Sequence, residues 1–115
     1  MVKVTIESVP SITNLKIITI KGTIDSVTYK QVDEEVYSVM EQENTNVVLD
    51  LSYVHYVSSM GMICLINYLK YMTDKEKVLK FVRPPQHVQN SLEAAGIAGK
   101  FDMYDSLEAA IQSLR

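Results

Sequence analysis

Residues 47–66 read Val47-Val-Leu-Asp-Leu-Ser-Tyr-Val-His-Tyr-Val-Ser-Ser-Met-Gly-Met-Ile-Cys-Leu-Ile66, and this stretch decides the fold. The segment Val47–Leu51 is apolar apart from one aspartate, which predicts a buried strand. Residues 52–57 predict a short loop, and a helix is predicted from about Ser59 to Met72. A buried strand followed at once by a helix is the repeating unit of α/β domains.

The pattern continues on both sides of this segment. Strands are predicted at residues 2–6, 15–21, 78–82 and 101–104, and helices from Asp25 or Ser26 to Gln42, from Pro84-Pro85 to about Gly96, and from Asp105 or Ser106 onward. The first two strands predict a hairpin, and the later strands alternate with helices and should be parallel. We therefore expect one α/β domain over residues 1–115, with helices packed against a mixed sheet of about four to five strands.

Composition and charge exclude several classes of function. At 115 residues and 47% hydrophobic residues, the chain can bury a core without metal or disulfide support. Its net charge of −3 argues against direct binding of nucleic acid, which requires clustered Lys and Arg. Cys64 is the only cysteine, so no internal disulfide forms, and its apolar neighbours predict packing in a reducing compartment.

The chain also lacks the pattern of a membrane segment. The N-terminal residues alternate between apolar and polar, unlike a signal peptide. The apolar run from Met60 to Ile66 is interrupted by Asn67 and Lys70, well short of the ~20 residues that a membrane span needs. We expect a cytoplasmic protein with no membrane association.

Two serines at the start of the second predicted helix are the first residues to examine. A helix N-terminus has unpaired N–H groups and about half a positive charge, so it tolerates an attached anion. On the pattern alone, Ser58 is a helix cap and Ser59 an ordinary first-turn residue. Gly61 costs roughly 1 kcal/mol relative to alanine in a helix, which calls for a reason such as close approach by another chain.

Apolar residues form two stripes on this helix. Met62, Leu65, Ile66, Leu69 and Met72 form one stripe, and Met60, Ile63, Asn67 and Tyr71 form the other. The first stripe is predicted to face the core. Met60 and Ile63 in the second stripe either bind a partner beside the serines or pack against the protein's own loops, and the sequence leaves both interpretations open.

No enzymatic site is predicted. The four glycines form neither a P-loop nor a dinucleotide-binding motif, and no nucleophile, base and orienting group occur together. His55 and His87 have no Cys, His or carboxylate residues nearby at the spacing of a metal site. We therefore expect each to be a surface or loop histidine. A receiver domain phosphorylated on Asp50 would need an acidic pair after the first strand, and residues 7–10 do not supply it. We therefore expect no catalytic residue, metal or cofactor.

The chain resembles the STAS domain of the bacterial anti-sigma factor antagonist (anti-anti-sigma factor) family. The resemblance lies in Val57-Ser58-Ser59-Met60-Gly61, where the family has Ser-Ser-Ala-Gly or Asp-Ser-Ser-Gly. Two further stretches, Ile20-Lys-Gly-Thr-Ile-Asp25 and the closing residues 92–111, resemble the family in the same order. By this resemblance Ser59 is the phosphorylated serine, and Asp25 is a candidate contact for a basic residue on a partner kinase.

The resemblance implies a phosphorylation switch. The unphosphorylated protein would bind an anti-sigma factor or related serine kinase of the histidine-kinase-like ATP-binding type, and phosphorylation of Ser59 would release it. A metal-dependent serine phosphatase would reverse the modification. The predicted partner-binding residues are Asp25, Ser58, Met60, Gly61 and Ile63. The alternative is a STAS-type ligand-sensing or scaffold domain that is never phosphorylated, which Met60 and the serine at position 58 favour.

Overall fold

A computed structural model describes all residues from 1 to 115 and contains a five-stranded sheet with four α-helices. In chain order the elements are β1 (Val2–Ser8), β2 (Leu15–Ile24), α1 (Tyr29–Met40), β3 (Asn46–Val57), α2 (Ser59–Asp74), β4 (Leu79–Val82), α3 (Gln86–Ala94), a 3₁₀ turn (Ala98–Lys100), β5 (Met103–Tyr104) and α4 (Leu107–Gln112). The predicted α/β architecture with a mixed sheet is confirmed.

The strands lie in the order β1-β2-β3-β4-β5. β1 and β2 form the predicted antiparallel hairpin, and β2 to β5 are parallel neighbours. Each parallel connection therefore crosses over through helical structure, as parallel pairing requires. The C-terminal ends of these parallel strands lie at the same end of the sheet, and α2 begins at that end directly after β3.

Each face of the sheet carries its own core. The larger core, of 22 buried residues, includes side chains from α1, α2 and α3. The smaller core, of five buried residues, includes Ala110 of α4 and lies around Ile17 and Val48. Neighbouring residues of a strand point to opposite faces, so β2 and β3 contribute to both cores.

The predicted loop at residues 52–57 is wrong, because β3 continues as a strand to Val57. Its last residues pair with the end of β2, where Gly22 lies opposite Val54 and Ile24 opposite Val57. Val54 and Val57 are buried between exposed residues. The polar residues that suggested a loop are the exposed positions of this strand extension.

The start of α1 also differs from the prediction. The helix begins at Tyr29, whereas the sequence indicated Asp25 or Ser26. Residues 25–28 form a turn instead, in which the carboxylate of Asp25 accepts hydrogen bonds from the N–H groups of Val27 (2.9 Å) and Thr28 (3.0 Å). Asp25 therefore organises the turn that precedes the helix, with Thr28 at the N-cap position.

The buried stripe of α2 is rotated relative to the predicted one. The buried residues are Gly61, Cys64, Leu65, Tyr68 and Met72, whereas Ile66 is 36% exposed. Tyr68 can be fully buried because its hydroxyl donates a hydrogen bond to the carboxylate of Asp33 on α1. Burial and the nearby Asp33 raise the pKa of the Cys64 thiol to about 12. Cys64 thus remains protonated and serves as packing, as the sequence predicted.

Candidate functional site

Ser58 caps α2. Its backbone is extended, with φ −75° and ψ 177°, and its hydroxyl oxygen accepts a hydrogen bond from the N–H of Gly61 at 3.2 Å. Its own N–H donates to the carbonyl of Ile24 at 2.9 Å, which joins the helix start to the end of β2. The hydroxyl of Ser58 is therefore already engaged within the protein.

Ser59 is the first residue of α2 and is exposed. Its hydroxyl makes no hydrogen bond within the chain, unlike that of Ser58. The N–H groups of Ser59 and Met60 belong to the helix turn that lacks intrahelical acceptors, and the cap serves only Gly61. An oxyanion on Ser59 would thus meet two unpaired donors and the positive end of the helix.

Gly61 is required by the protein's own packing. A Cβ atom at this position would lie 2.5 Å from the carbonyl oxygen of Ile24 and 2.6 Å from Cγ1 of Val57. The close approach that the sequence suggested is therefore made by β2 and β3 of the same chain. Gly61 is buried and presents no surface to a partner, so its predicted role as a direct partner contact has no support in the fold.

Asp25 lies in the turn next to this helix start, because it directly follows Ile24. One carboxylate oxygen accepts the turn's two N–H bonds and contacts the Thr28 hydroxyl at 3.3 Å. The N–H of Thr28, followed by that of Val27, lowers the pKa of Asp25 from its usual value of 3.8. The charged form thus stabilises the turn above that value, and this contribution is lost as the pH falls through the lowered pKa.

Exposed apolar side chains occur near the start of α2 and in the neighbouring turn after β2. Ile63, one turn further along α2, is 51% exposed, and Met60 is partly buried. Val27, in the turn after Asp25, is 86% exposed and was not predicted from the sequence. We call residues Asp25, Val27, Ser59, Met60 and Ile63 the Ser59 surface.

The second predicted stripe of α2 is exposed in its N-terminal half and packed against α1 in its C-terminal half. Ile63 is not covered by the protein's own loops, whereas Tyr71 packs edge to face against Tyr37 at 5.5 Å between ring centroids. Packing against the chain's own residues accounts for Tyr71, but it leaves Ile63 exposed. The stripe's N-terminal half remains available to a partner.

A histidine from α3 holds the segment that precedes the serines. β4 pairs with β3 only as far as Asp50, so the extension of β3 has no strand on that side. Nε2 of His87 lies 3.1 Å from the N–H of Val57 and accepts its hydrogen bond, and the His87 ring stacks on Tyr56 at 5.1 Å. His87 therefore replaces the missing strand partner beside the serines.

The remaining candidates form no second site. Asp50 is buried and accepts hydrogen bonds from the N–H of Ser52, at 3.0 Å, and from its hydroxyl. No three His, Cys, Asp or Glu residues lie close enough together to hold a metal ion. None of the helices combines the length and the apolar character needed to cross a bilayer.

The family model of the STAS domain matches residues 3–110. The chain belongs to the STAS domain family. Within this STAS domain, the two serines open α2, and the Asp25 turn follows the β2 residue that bonds to Ser58.

The STAS domain is similar to bacterial anti-sigma factor antagonists. BtrV of Bordetella bronchiseptica, a candidate anti-sigma factor antagonist, is 25% identical over 96 residues, which cover 84% of this chain and 83% of BtrV. An anti-sigma factor antagonist from Mycobacterium paratuberculosis has a TM-score of 0.82 at 20% identity, over 100% of this chain and 95% of its own. Phosphorylated SpoIIAA of Bacillus has a TM-score of 0.77 at 13% identity, over 98% and 100% of the two chains.

Proposed function

We propose that this STAS domain is a phosphorylation-switched anti-sigma factor antagonist. The unphosphorylated domain binds an anti-sigma factor or related serine kinase, and phosphorylation of Ser59 releases it. The observation that carries the proposal is the exposed, unbonded hydroxyl of Ser59 at the first position of α2. The similarity to BtrV and to SpoIIAA, which exists in a phosphorylated form, supports the same assignment.

The two serines have different structural roles, and this difference should allow the fold to remain intact when Ser59 is phosphorylated. Ser58 caps the helix and contacts Ile24, whereas the side chain of Ser59 contributes no hydrogen bond. A phosphate adds about −1.5 to −2 charges and three acceptor oxygens. The unpaired N–H groups and the helix dipole stabilise these charges at this end of the helix. We therefore expect phosphorylation to change the surface and to leave the core unchanged.

The same phosphate opposes partner binding. The Ser59 surface combines exposed apolar side chains with one carboxylate, that of Asp25, and contains no Lys or Arg. A partner that covers Ile63 and Val27 removes Ser59 from water as well. A phosphate buried there without a cation would lose its hydration, and a loss of only ~2.7 kcal/mol weakens binding about a hundredfold.

The chemistry of phosphate transfer belongs to the partners. The domain presents an acceptor but no base and no phosphate-binding loop, so ATP enters with the kinase. The kinase must supply the base for the Ser59 hydroxyl and donors for the transferred phosphoryl group. A serine phosphatase then restores the hydroxyl. One free carboxylate oxygen of Asp25 remains available to a basic side chain of the kinase.

Substitution of each serine tests the proposal. Ser59→Ala should abolish phosphorylation by the cognate kinase and preserve binding, because it removes the acceptor oxygen and little volume. Ser58→Ala is the matched control: it should keep the acceptor and lose about 1 kcal/mol of stability through the cap. Intact-mass spectrometry after kinase treatment, together with thermal melts, measures both effects.

Two outcomes would contradict this proposal at different levels. Phosphate on Ser58 in the Ser59→Ala variant would move the acceptor by one residue and leave the switch intact. Protein from its native host that carries no phosphate, and that the kinase neither binds nor modifies, would favour a ligand-sensing or scaffold domain.

The apolar part of the Ser59 surface has a separate test. Ile63→Ser should weaken kinase binding about tenfold and leave the melting temperature nearly unchanged, because the side chain is 51% exposed. The combined Met60→Ser and Ile63→Ser variant should weaken binding further. Ile66→Ser, one turn away at 36% exposure, is the control and should bind normally. Normal binding by the stably folded double variant would remove this stripe from the interface.

A further inference from the structure

The first strand leaves one long edge of the sheet unpaired. β1 is the outermost strand, and its seven residues pair only with β2. The opposite edge is β5, which has only two residues. From α1, the side chain of Gln31 reaches only the first residue of β1, where it donates to the carbonyl of Val2 at 3.3 Å. The edge from Lys3 to Glu7 is therefore open to another strand.

The charges along this edge are not compensated within the chain. Lys3 lies directly opposite Lys21 in the β1–β2 pairing, and such like-charged pairs are unfavourable. Glu7 lies opposite the apolar Ile17. The only ion pair in the protein is between Lys80 and Asp102, so Lys3 and Glu7 have no charged partner.

We propose that β1 pairs in antiparallel orientation with β1 of a second copy of this chain, about a twofold axis through Thr5. In this register Lys3 of each copy lies opposite Glu7 of the other. The dimer therefore contains two Lys3–Glu7 pairs of opposite charge. Val4 lies opposite Ile6 in the same way. The two five-stranded sheets become one continuous sheet, and each open edge supplies the hydrogen bonds of the other.

The apolar positions of β1 agree with this arrangement. Val4 and Ile6 lie on the face of the sheet that carries the larger core, with Val4 partly buried against that core and Ile6 42% exposed. Opposite Val4 of a second copy, Ile6 would be covered. None of these residues belongs to the Ser59 surface, so the pairing goes beyond the proposed switch and leaves Ser59 exposed.

Charge reversal tests the register directly. The wild-type chain of 115 residues should dimerise with rising concentration in sedimentation equilibrium. Lys3→Glu and Glu7→Lys should each weaken self-association about tenfold or more, because each variant places like charges opposite one another twice. An equimolar mixture of the two variants should associate again. In the mixed dimer one copy has glutamate at positions 3 and 7 and the other has lysine at both, so each glutamate lies opposite a lysine. Glu43→Lys, at an exposed position between α1 and β3, is the charge control and should dimerise like wild type.

Hydrogen exchange locates the contact. Alternate amides of β1 between Lys3 and Glu7 should exchange more slowly as the protein concentration rises, and those of the Ser59 surface should not. A wild-type chain that stays monomeric at every concentration would overturn the proposal. So would a dimer that survives both single substitutions, or a mixture of the two variants that fails to associate. Melting curves establish that each variant is folded.

Discussion

Gly61→Ala is expected to lower the free energy of unfolding by about 2–3 kcal/mol. The new methyl group would lie 2.5 Å from a backbone oxygen of Ile24, which is fixed in the sheet, and 2.6 Å from Val57. Alanine gains about 1 kcal/mol over glycine in helix propensity, but relief of the contact requires α2 to move away from β2 and β3. The melting temperature should fall by about 10 °C.

Gly99→Ala is the matched control for this substitution. No atom lies within 4 Å of the position that its Cβ would occupy, and its backbone is not left-handed. It should therefore leave the melting temperature within a degree or two of wild type. A Gly61→Ala variant as stable as Gly99→Ala would show that α2 can shift at no cost, and that the helix start is less constrained than its contacts indicate.

Phosphorylation of Ser59 is expected to lower affinity for the kinase about a hundredfold, with a nearly unchanged melting temperature. Ser59→Asp should reproduce part of this loss, because a carboxylate brings one charge where the phosphate brings nearly two. The carboxylate is tolerated at the helix N-terminus and should not unfold the domain. Titration of the kinase with each form, alongside thermal melts, separates the two effects.

Ser38→Asp provides the charge control. Ser38 is exposed near the C-terminal end of α1, at the opposite end of the sheet from Ser59, and the substitution adds the same charge. It should bind the kinase normally. Equal loss of affinity in Ser38→Asp and Ser59→Asp would indicate a general effect of net charge. A large drop in the melting temperature of Ser59→Asp would mean that the Ser59 side chain supports the fold.

The order of elements could be predicted because it depends on local patterns. Alternation in β1, the apolar run that opens β3 and the Ser58 cap are all properties of consecutive residues. The extension of β3 could not be predicted in this way. Residues 52–57 have polar side chains at their exposed positions, and only the pairing with Lys21 to Ile24, some 30 residues earlier, keeps them extended.

The buried face of α2 shows the same limit. Tyr68 is more polar than Ile66, and the apolar pattern alone does not place it in the core. It is fully buried because the carboxylate of Asp33, 35 residues away, accepts a hydrogen bond from its hydroxyl. Gly61 could be marked as unusual from its helix position, but the group that approaches it could not be identified. Val27 carried no signal at all, since a valine in a turn ordinarily indicates a buried position.

The contact between His87 and Val57 bears on how a kinase must recognise Ser59. The residue before the two serines is held by α3 on one side and pairs with β2 on the other, so Ser59, the proposed acceptor, follows a segment that the fold fixes on both sides. A kinase for Ser59 therefore cannot draw it into its active site as an extended peptide without breaking β3 and the cap. We therefore expect the substrate of such a kinase to be a folded epitope assembled from β2, α2 and α3, which the kinase approaches at the surface of the intact domain.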